Sequence, residues 1–453
     1  MAISALSSPP LPAVERRAVL PRGFRAGGST AGIKASGRPD LALIVAAEGA
    51  AAAAAVFTPN AFAAAPVQLS RANLAATSGD QRGGFGFASA VVSTSGCANA
   101  ATGAAGDDDQ TRVGGFVSSA LGIDPERVLH LSTGIIGTRL PLDRVAAGIE
   151  ALATSLRADD AGLAAAAEAL RTTDSVAKVA TTSLILPAAD GEPITVTITG
   201  IAKGVGMIHP NMATMLSVLL TDASVSPEVL WGLLRPAAAR TWDQLSVDGD
   251  TSTNDTVFVL ASGAAGAAPL SAGSTAAVAF GAALEAVARD LARQQAADGE
   301  GATILITASV TGAVDDADAR AVARAVVSSS LVKAAAHGKD PNWGRIAGAA
   351  GNAVTASTAV LQASGLAAED AARRAGQAAT IDPDRLRISI AGHLVFDGAA
   401  GGPLEFDRGA ARAAMDAPEL VIELDLGLGD GVGEAFGCDL TQEYVIENSE
   451  YTT

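Results

Sequence analysis

The chain has 453 residues, a net charge of −17 and 49 % hydrophobic residues. That length suits two domains or one large α/β unit, and the acidic balance argues against a nucleic-acid binder, which needs a basic footprint. Aromatics are only 4 %, so the core must be built from Ala, Val, Leu and Ile, and the many Ala and Gly residues point to close backbone packing rather than disorder.

Residues 1 to about 20 read as a loose leader. They lack an apolar segment behind a basic start, so no secretory signal is expected. The longest apolar stretch, Leu41 to Phe57, is mostly Ala and contains Glu48, too weak for a membrane span. Strands are expected at 41–46, 87–92, 128–131, 183–186, 194–198, 215–220, 256–261, 303–310, 387–390 and 421–424. Helices are expected at 143–157, 160–171, 226–240, 316–335 and 406–415, and around Phe280, Leu284, Val287 and Leu291, whose spacing marks one helix face. The Gly/Ala/Ser-rich stretches 102–109 and 262–275 read as surface loops. This alternation gives an α/β (α+β) fold, without repeats or heptads. Two distant cysteines, Cys97 and Cys438, lack a nearby His or a Cys-x-x-Cys partner, which suggests a reducing compartment and a cytoplasmic protein.

The chemistry concentrates in KGVGMIHPNMATML, Lys203 to Leu216. Gly204 and Gly206 permit a turn and close backbone approach, and Pro210 redirects the chain. Thr214 follows the small Ala213 and opens an apolar, strand-like run. A Thr so placed can attack the preceding carbonyl, shift the acyl group from nitrogen to oxygen, and leave an ester that water opens. The product is an N-terminal Thr whose α-amine, with an ordinary pKa near 7.7–8.0, stands beside its own hydroxyl as general base. Read from the residues alone, a Thr at a loop-to-strand junction without chemistry is the plainer alternative.

KGVGMIHPNMATML resembles the cleavage signature of the ornithine acetyltransferase (glutamate N-acetyltransferase) family of arginine biosynthesis. Further motifs in the same order fit: LPRGFRAGGSTAGIKASGRPDLALI from Leu20, VFTPNAFAAAPVQLSR from Val56, LSTGIIG from Leu131, VDGDTSTND from Val247, DGEGAT from Asp298, DPNWGRI from Asp340 and GCDLTQEYVIENSEYTT from Gly437. The resemblance implies self-cleavage between Ala213 and Thr214 into an α chain, 1–213, and a β chain, 214–453, assembled as a heterotetramer of two α and two β chains. It implies ping-pong transfer of acetyl from N2-acetyl-L-ornithine to L-glutamate through acetyl-Thr214, with acetyl-CoA as an optional second donor, and neither cofactor nor metal. It makes Thr133 and Gly134 the oxyanion hole. Thr172, Lys203, Thr214, Glu300, Asn448 and Thr453 then bind substrate, with Thr173 an open alternative to Thr172. Asp248, Asp250 and Asp255 read as a structural turn near the site, and Asn342 to Arg345 as a loop and helix start. The sequence departs from the family where Cys97 stands in place of an expected Asn, where Ser175 replaces a Thr, and in a longer segment between Asp174 and Lys203. A self-cleaving aminopeptidase-like hydrolase, a paralogue in another pathway and an uncleaved binding protein are the rival readings.

Overall fold

The computed structural model describes residues 11–209 and 215–449. Ala213, Thr214 and Thr453 lie outside the described residues. Three sheets organise the chain. A six-stranded sheet runs, in spatial order, Phe85–Ala88, Ala51–Phe57, Thr256–Ala261, Leu216–Thr221, Pro193–Lys203 and Lys178–Pro187. A four-stranded sheet runs Phe24–Ser29, Leu41–Ala46, Ala90–Cys97 and Val128–Ile135. The alternation of a strand sends successive side chains to opposite faces, and both sheets use both faces. Ala42 and Ile44 join the layer between the sheets, with Ala53, Val218 and Phe258. Leu41, Leu43 and Val45 point the other way, onto Val113, Val117 and Ile149 of the helices Gly103–Leu121 and Leu142–Ala153. On its far side the six-stranded sheet meets Leu230, Leu234, Phe280, Leu284 and Leu291 of the helices Pro227–Arg240 and Thr275–Ala297. The result is two sheets face to face between two helical layers, an α/β arrangement as the sequence suggests.

A seven-stranded mixed sheet forms the rest, around the central strands Leu305–Ala313, Glu419–Asp425 and Gly431–Cys438, covered by helix Asp316–Ser328. It joins the first unit where Leu245–Ser246 pairs with Phe436 and Gly437.

The helix at 316–335 divides at Ser329, whose side chain caps the second half, Ser330–His337, from the Val332 N–H. The strand expected at 87–92 splits at Ser89 as the chain passes from one sheet to the other. Residues 102–109 are no surface loop: they open the helix Gly103–Leu121, in which Gly106, Asp109 and Gln110 are buried. Residues 262–274 form an irregular surface loop, as the sequence suggests, anchored in the core by Ala265, Ala267 and Leu270. The described part of the leader is tied down, since Glu15 and Thr181 exchange two backbone hydrogen bonds of 2.8 Å. The apolar stretch from Leu41 forms two strands of different sheets. Among the described residues, no helix is long and apolar enough to cross a membrane.

Candidate active site

Two strand ends build the site. Val128–Ile135 carries Thr133 and Gly134 at the edge of the four-stranded sheet, and Pro193–Lys203 ends at Lys203 in the six-stranded sheet. They meet at a cavity of about 250 Å³ that Thr133, Gly134, Thr172, Thr173, Lys203, Gly206, Glu300 and Asn448 all line. Residues that the sequence spreads over more than 300 positions therefore share one hollow.

Lys203 is buried, not solvated, and its Nζ donates to Thr133 Oγ1 at 3.3 Å. Thr133 accepts there, so its own proton remains available to an acceptor in the cavity. Gly134 has φ 127°, and a Cβ on it would stand 2.4 Å from the Gly96 carbonyl carbon. Only glycine fits, which lets the backbone approach the cavity closely.

A buried charge network holds Lys203. Asp174 Oδ2 lies 4.0 Å from its Nζ, while Asp174 Oδ1 accepts from Lys178 Nζ at 2.6 Å and from the Gly204 N–H at 2.8 Å. Lys178 also donates to Asp298 Oδ2 at 2.6 Å. Burial alone would raise the Asp174 pKa, but Lys203, Lys178 and these hydrogen bonds outweigh it and hold the carboxyl below its ordinary range. Burial lowers the Lys203 pKa, with Asp174 opposing. In sequence, Asp174 resembles a helix cap; in the fold it is the counter-ion of a site lysine. Lys178 and Asp298 escaped the sequence reading because no local pattern marks a pair that only the fold brings together.

Glu300 closes the opposite wall. Its Oε1 accepts from Thr173 Oγ1 and its Oε2 from Asn448 Nδ2, both at 2.9 Å. Its backbone N–H donates to the Val205 carbonyl at 2.8 Å. A Cβ on Gly206 would stand 2.3 Å from Glu300 Oε2, so Gly206 makes room for the carboxylate. Asn448 lies on the helix Gln442–Ser449, which brings the end of the chain to the cavity. Thr172 and Thr173 both line it, Thr173 holding Glu300.

The acidic turn also reaches the site. Asp248 accepts from the Met207 and Ile208 N–H groups. Asp255, fully buried, accepts from the Met215 N–H at 2.9 Å. Burial raises the Asp255 pKa well above the ordinary carboxylate value, against the Met215 N–H and the charge of Lys203. Asn254 Nδ2 bridges the Ala98 and Ser132 carbonyls, 2.8 Å from each, and so fixes the strand end before Thr133. Sequence reasoning placed this turn nearby but missed the grip of Asp255 on the amide just beyond Thr214. Cys97 is buried with its thiol on the Thr138 carbonyl at 3.2 Å, and burial pushes its pKa up, which suits packing and not nucleophilic attack. Asn342 caps the helix Trp343–Gly351 from the Arg345 N–H at 3.2 Å, as the sequence suggests.

The model of the ArgJ family matches residues 25–453. The chain is 44 % identical to the arginine biosynthesis bifunctional protein ArgJ of Thermus thermophilus over 434 residues, 96 % of this chain and 99 % of that one. It is 42 % identical to the protein of the same name from Synechocystis over 449 residues, 97 % of this chain and 98 % of that one. Among solved structures, the ornithine acetyltransferase of Mycobacterium tuberculosis complexed with ornithine is 36 % identical, covering 44 % of this chain and 97 % of its own, with a TM-score of 0.38.

Proposed function

The chain belongs to the ArgJ family, and we propose that it acts as an ornithine acetyltransferase that cuts itself between Ala213 and Thr214 and carries the acetyl group on Thr214. Thr214 Oγ attacks the acetyl carbonyl of N2-acetyl-L-ornithine while the Thr214 α-amine takes the hydroxyl proton. The tetrahedral oxyanion is met by the Thr133 hydroxyl and the Gly134 N–H. Two fixed donors of this kind supply several kcal/mol of transition-state stabilisation. The carbon–nitrogen bond breaks, the proton passes to the leaving amine, and ornithine departs from an acetyl-Thr ester. The α-amine of L-glutamate then attacks that ester and leaves as N-acetylglutamate, returning the proton to Thr214. The relatives are named bifunctional; on this reading acetyl-CoA is the second donor, charging the same Thr214. No cofactor enters any step.

Lys203 offers an ammonium to the substrate carboxylate in a chain that is otherwise strongly acidic. Glu300, held by Thr173 and Asn448, offers a carboxylate to the δ-ammonium of ornithine. Thr172 and Thr453 complete the substrate contacts. The α chain of 1–213 and the β chain of 214–453 associate as two αβ pairs. The enzyme works in the cytoplasm, where the two free, buried cysteines stay reduced.

One observation carries this reading: Thr133, Gly134, Lys203, Glu300 and Asn448 converge on a single cavity. Intact mass and N-terminal sequencing of the purified protein test it first. Two chains are expected, the second beginning Thr-Met-Leu-Ser. Ornithine release that requires glutamate then separates a transferase from a hydrolase. A single unbroken chain that still transfers acetyl would overturn the mechanism.

A further inference from the structure

A second cavity, of about 810 Å³, lies apart from the first, between the helices Asp316–Ser328, Ser330–His337 and Trp343–Gly351. Its polar lining includes His209, Arg324, Ser328, Asn342, Arg345 and Asn352. Among the described residues no carboxylate lines it, although the chain has 48 Asp and Glu against 31 Lys and Arg. A cationic hollow in so acidic a chain is a local construction and not the background field.

Backbone carbonyls hold the two guanidiniums in place. Arg324 Nη2 donates to the Val354 carbonyl and Arg345 Nη1 to the Leu331 carbonyl, each at 2.9 Å. Each bond uses part of a five-donor fork and leaves the rest to a ligand. The carboxylate that acts on Arg324, Asp243, is bonded at 3.0 Å to Arg235. Burial pulls the Arg324 pKa down, so the fold holds a partly desolvated cation whose charge an incoming anion would offset. The pKa of His209 is lowered first by burial and then by Arg324, with Asp250 opposing and Lys333 adding to the effect. Ser328 Oγ is buried and has no hydrogen-bond partner among the described residues.

We propose that this cavity is a second ligand site, for a small molecule bearing phosphate groups, distinct from the acetyl-transfer cavity. Phosphate fits better than a lone carboxylate. It presents more acceptor oxygens, matching two planar forks, a hydroxyl and the side-chain amide of Asn352. The volume exceeds that of the first cavity and is within the range that holds drug-sized ligands. Ala325, Ala349 and Val354 supply apolar wall for an organic moiety beside the phosphates. This inference does not rest on the acetyl-transfer reading.

The test is isothermal titration of the full chain with sodium pyrophosphate and with adenosine diphosphate. One saturable site is expected for both, weakened at least tenfold by Arg345→Gln and unchanged by Arg412→Gln, an exposed arginine outside the cavity. Ala349→Glu, which sets a carboxylate in the wall, gives a second and independent loss should the arginine variant fold poorly. Saturating N2-acetylornithine should leave the titration unaltered. Absence of binding at millimolar pyrophosphate, affinity in both cavity variants unchanged from the unsubstituted protein, or displacement by acetylornithine would each overturn the proposal.

Discussion

Thr133 is the point where the two sheets exchange chemistry, because Lys203 from one donates to a hydroxyl from the other at 3.3 Å. Replacing it with Val keeps the shape and removes the donor that the proposed reaction would need only when charge develops. Thr133→Val should therefore lower kcat by about 10²–10³ with little change in KM, measured as acetylornithine-dependent formation of N-acetylglutamate; an unchanged kcat would remove Thr133 from the oxyanion hole. Asp255 poses a different question. Burial pushes its pKa up, and its contact with the Met215 N–H needs only an oxygen acceptor. Asp255→Asn should thus still cleave, whereas Asp255→Ala, which leaves that buried N–H unsatisfied at about 1–3 kcal/mol, should slow cleavage. The appearance of the second chain on a denaturing gel follows both, and a cleavage-dead Asn variant would mean that the ionised form is required. His130, three residues before Thr133, is fully buried, with burial pushing its pKa down to about 3 from an ordinary 6.5. The unfolded chain therefore takes up a proton that the fold refuses. The stability that neutral His130 brings is complete above pH 6.5 and is lost toward pH 3, at about 1.4 kcal/mol per pH unit. Urea midpoints at pH 7, 6 and 5 should fall less steeply in His130→Gln, and parallel slopes would exclude His130 as the source.

At the scale of elements, legibility follows side-chain chemistry. Thr256–Ala261 and Arg387–Ile390 carry β-branched and aliphatic residues and were readable to the residue. Ala51–Phe57 was not readable as a strand, since a run of five alanines carries little β preference. It is a strand because it pairs on both sides, with Thr256–Ala261 and Phe85–Ala88, while its alanines are buried on both faces. Gly103–Leu121 failed in the opposite sense. Its glycines look like a loop, yet Gly106 is needed where a Cβ would stand 1.8 Å from Thr102 Oγ1. The site shows the same division. Gly134, Lys203 and Glu300 lie in recognisable motifs, while Lys178 depends on contacts no local window contains. The turn after Pro193–Lys203 offers a test at this scale. In Gly206→Ala the new methyl meets the far end of the Glu300 side chain and not backbone, so folding should survive while Glu300 shifts. KM for acetylornithine should rise several-fold with the melting temperature held within a few degrees. A collapse in stability with normal KM would show that Gly206 serves the backbone and not Glu300.

For the whole molecule, the geometry around the proposed cleavage point sets what would become of two chains. Lys203 and Leu216 are partners on one rung of an antiparallel pair, so the segment between them leaves the sheet and returns to it at the same place. A cut within that segment removes no rung. On the far side Leu216–Thr221 pairs in parallel with Thr256–Ala261, which in turn pairs with Ala51–Phe57. The six-stranded sheet thus interleaves strands from before and after the junction, and both of its faces are buried. Pulling the chains apart would expose two hydrophobic layers at roughly 25 cal/mol per Å² of apolar surface and leave strand edges unpaired. The cleaved protein should therefore behave as one folding unit. Both chains should co-elute on size-exclusion chromatography in native buffer. They should separate only across the denaturant range in which circular dichroism reports loss of the sheet, in one transition. Separation of the chains below that range would mean that the interleaved sheet is not the principal joint, and that contacts outside it hold the two halves together.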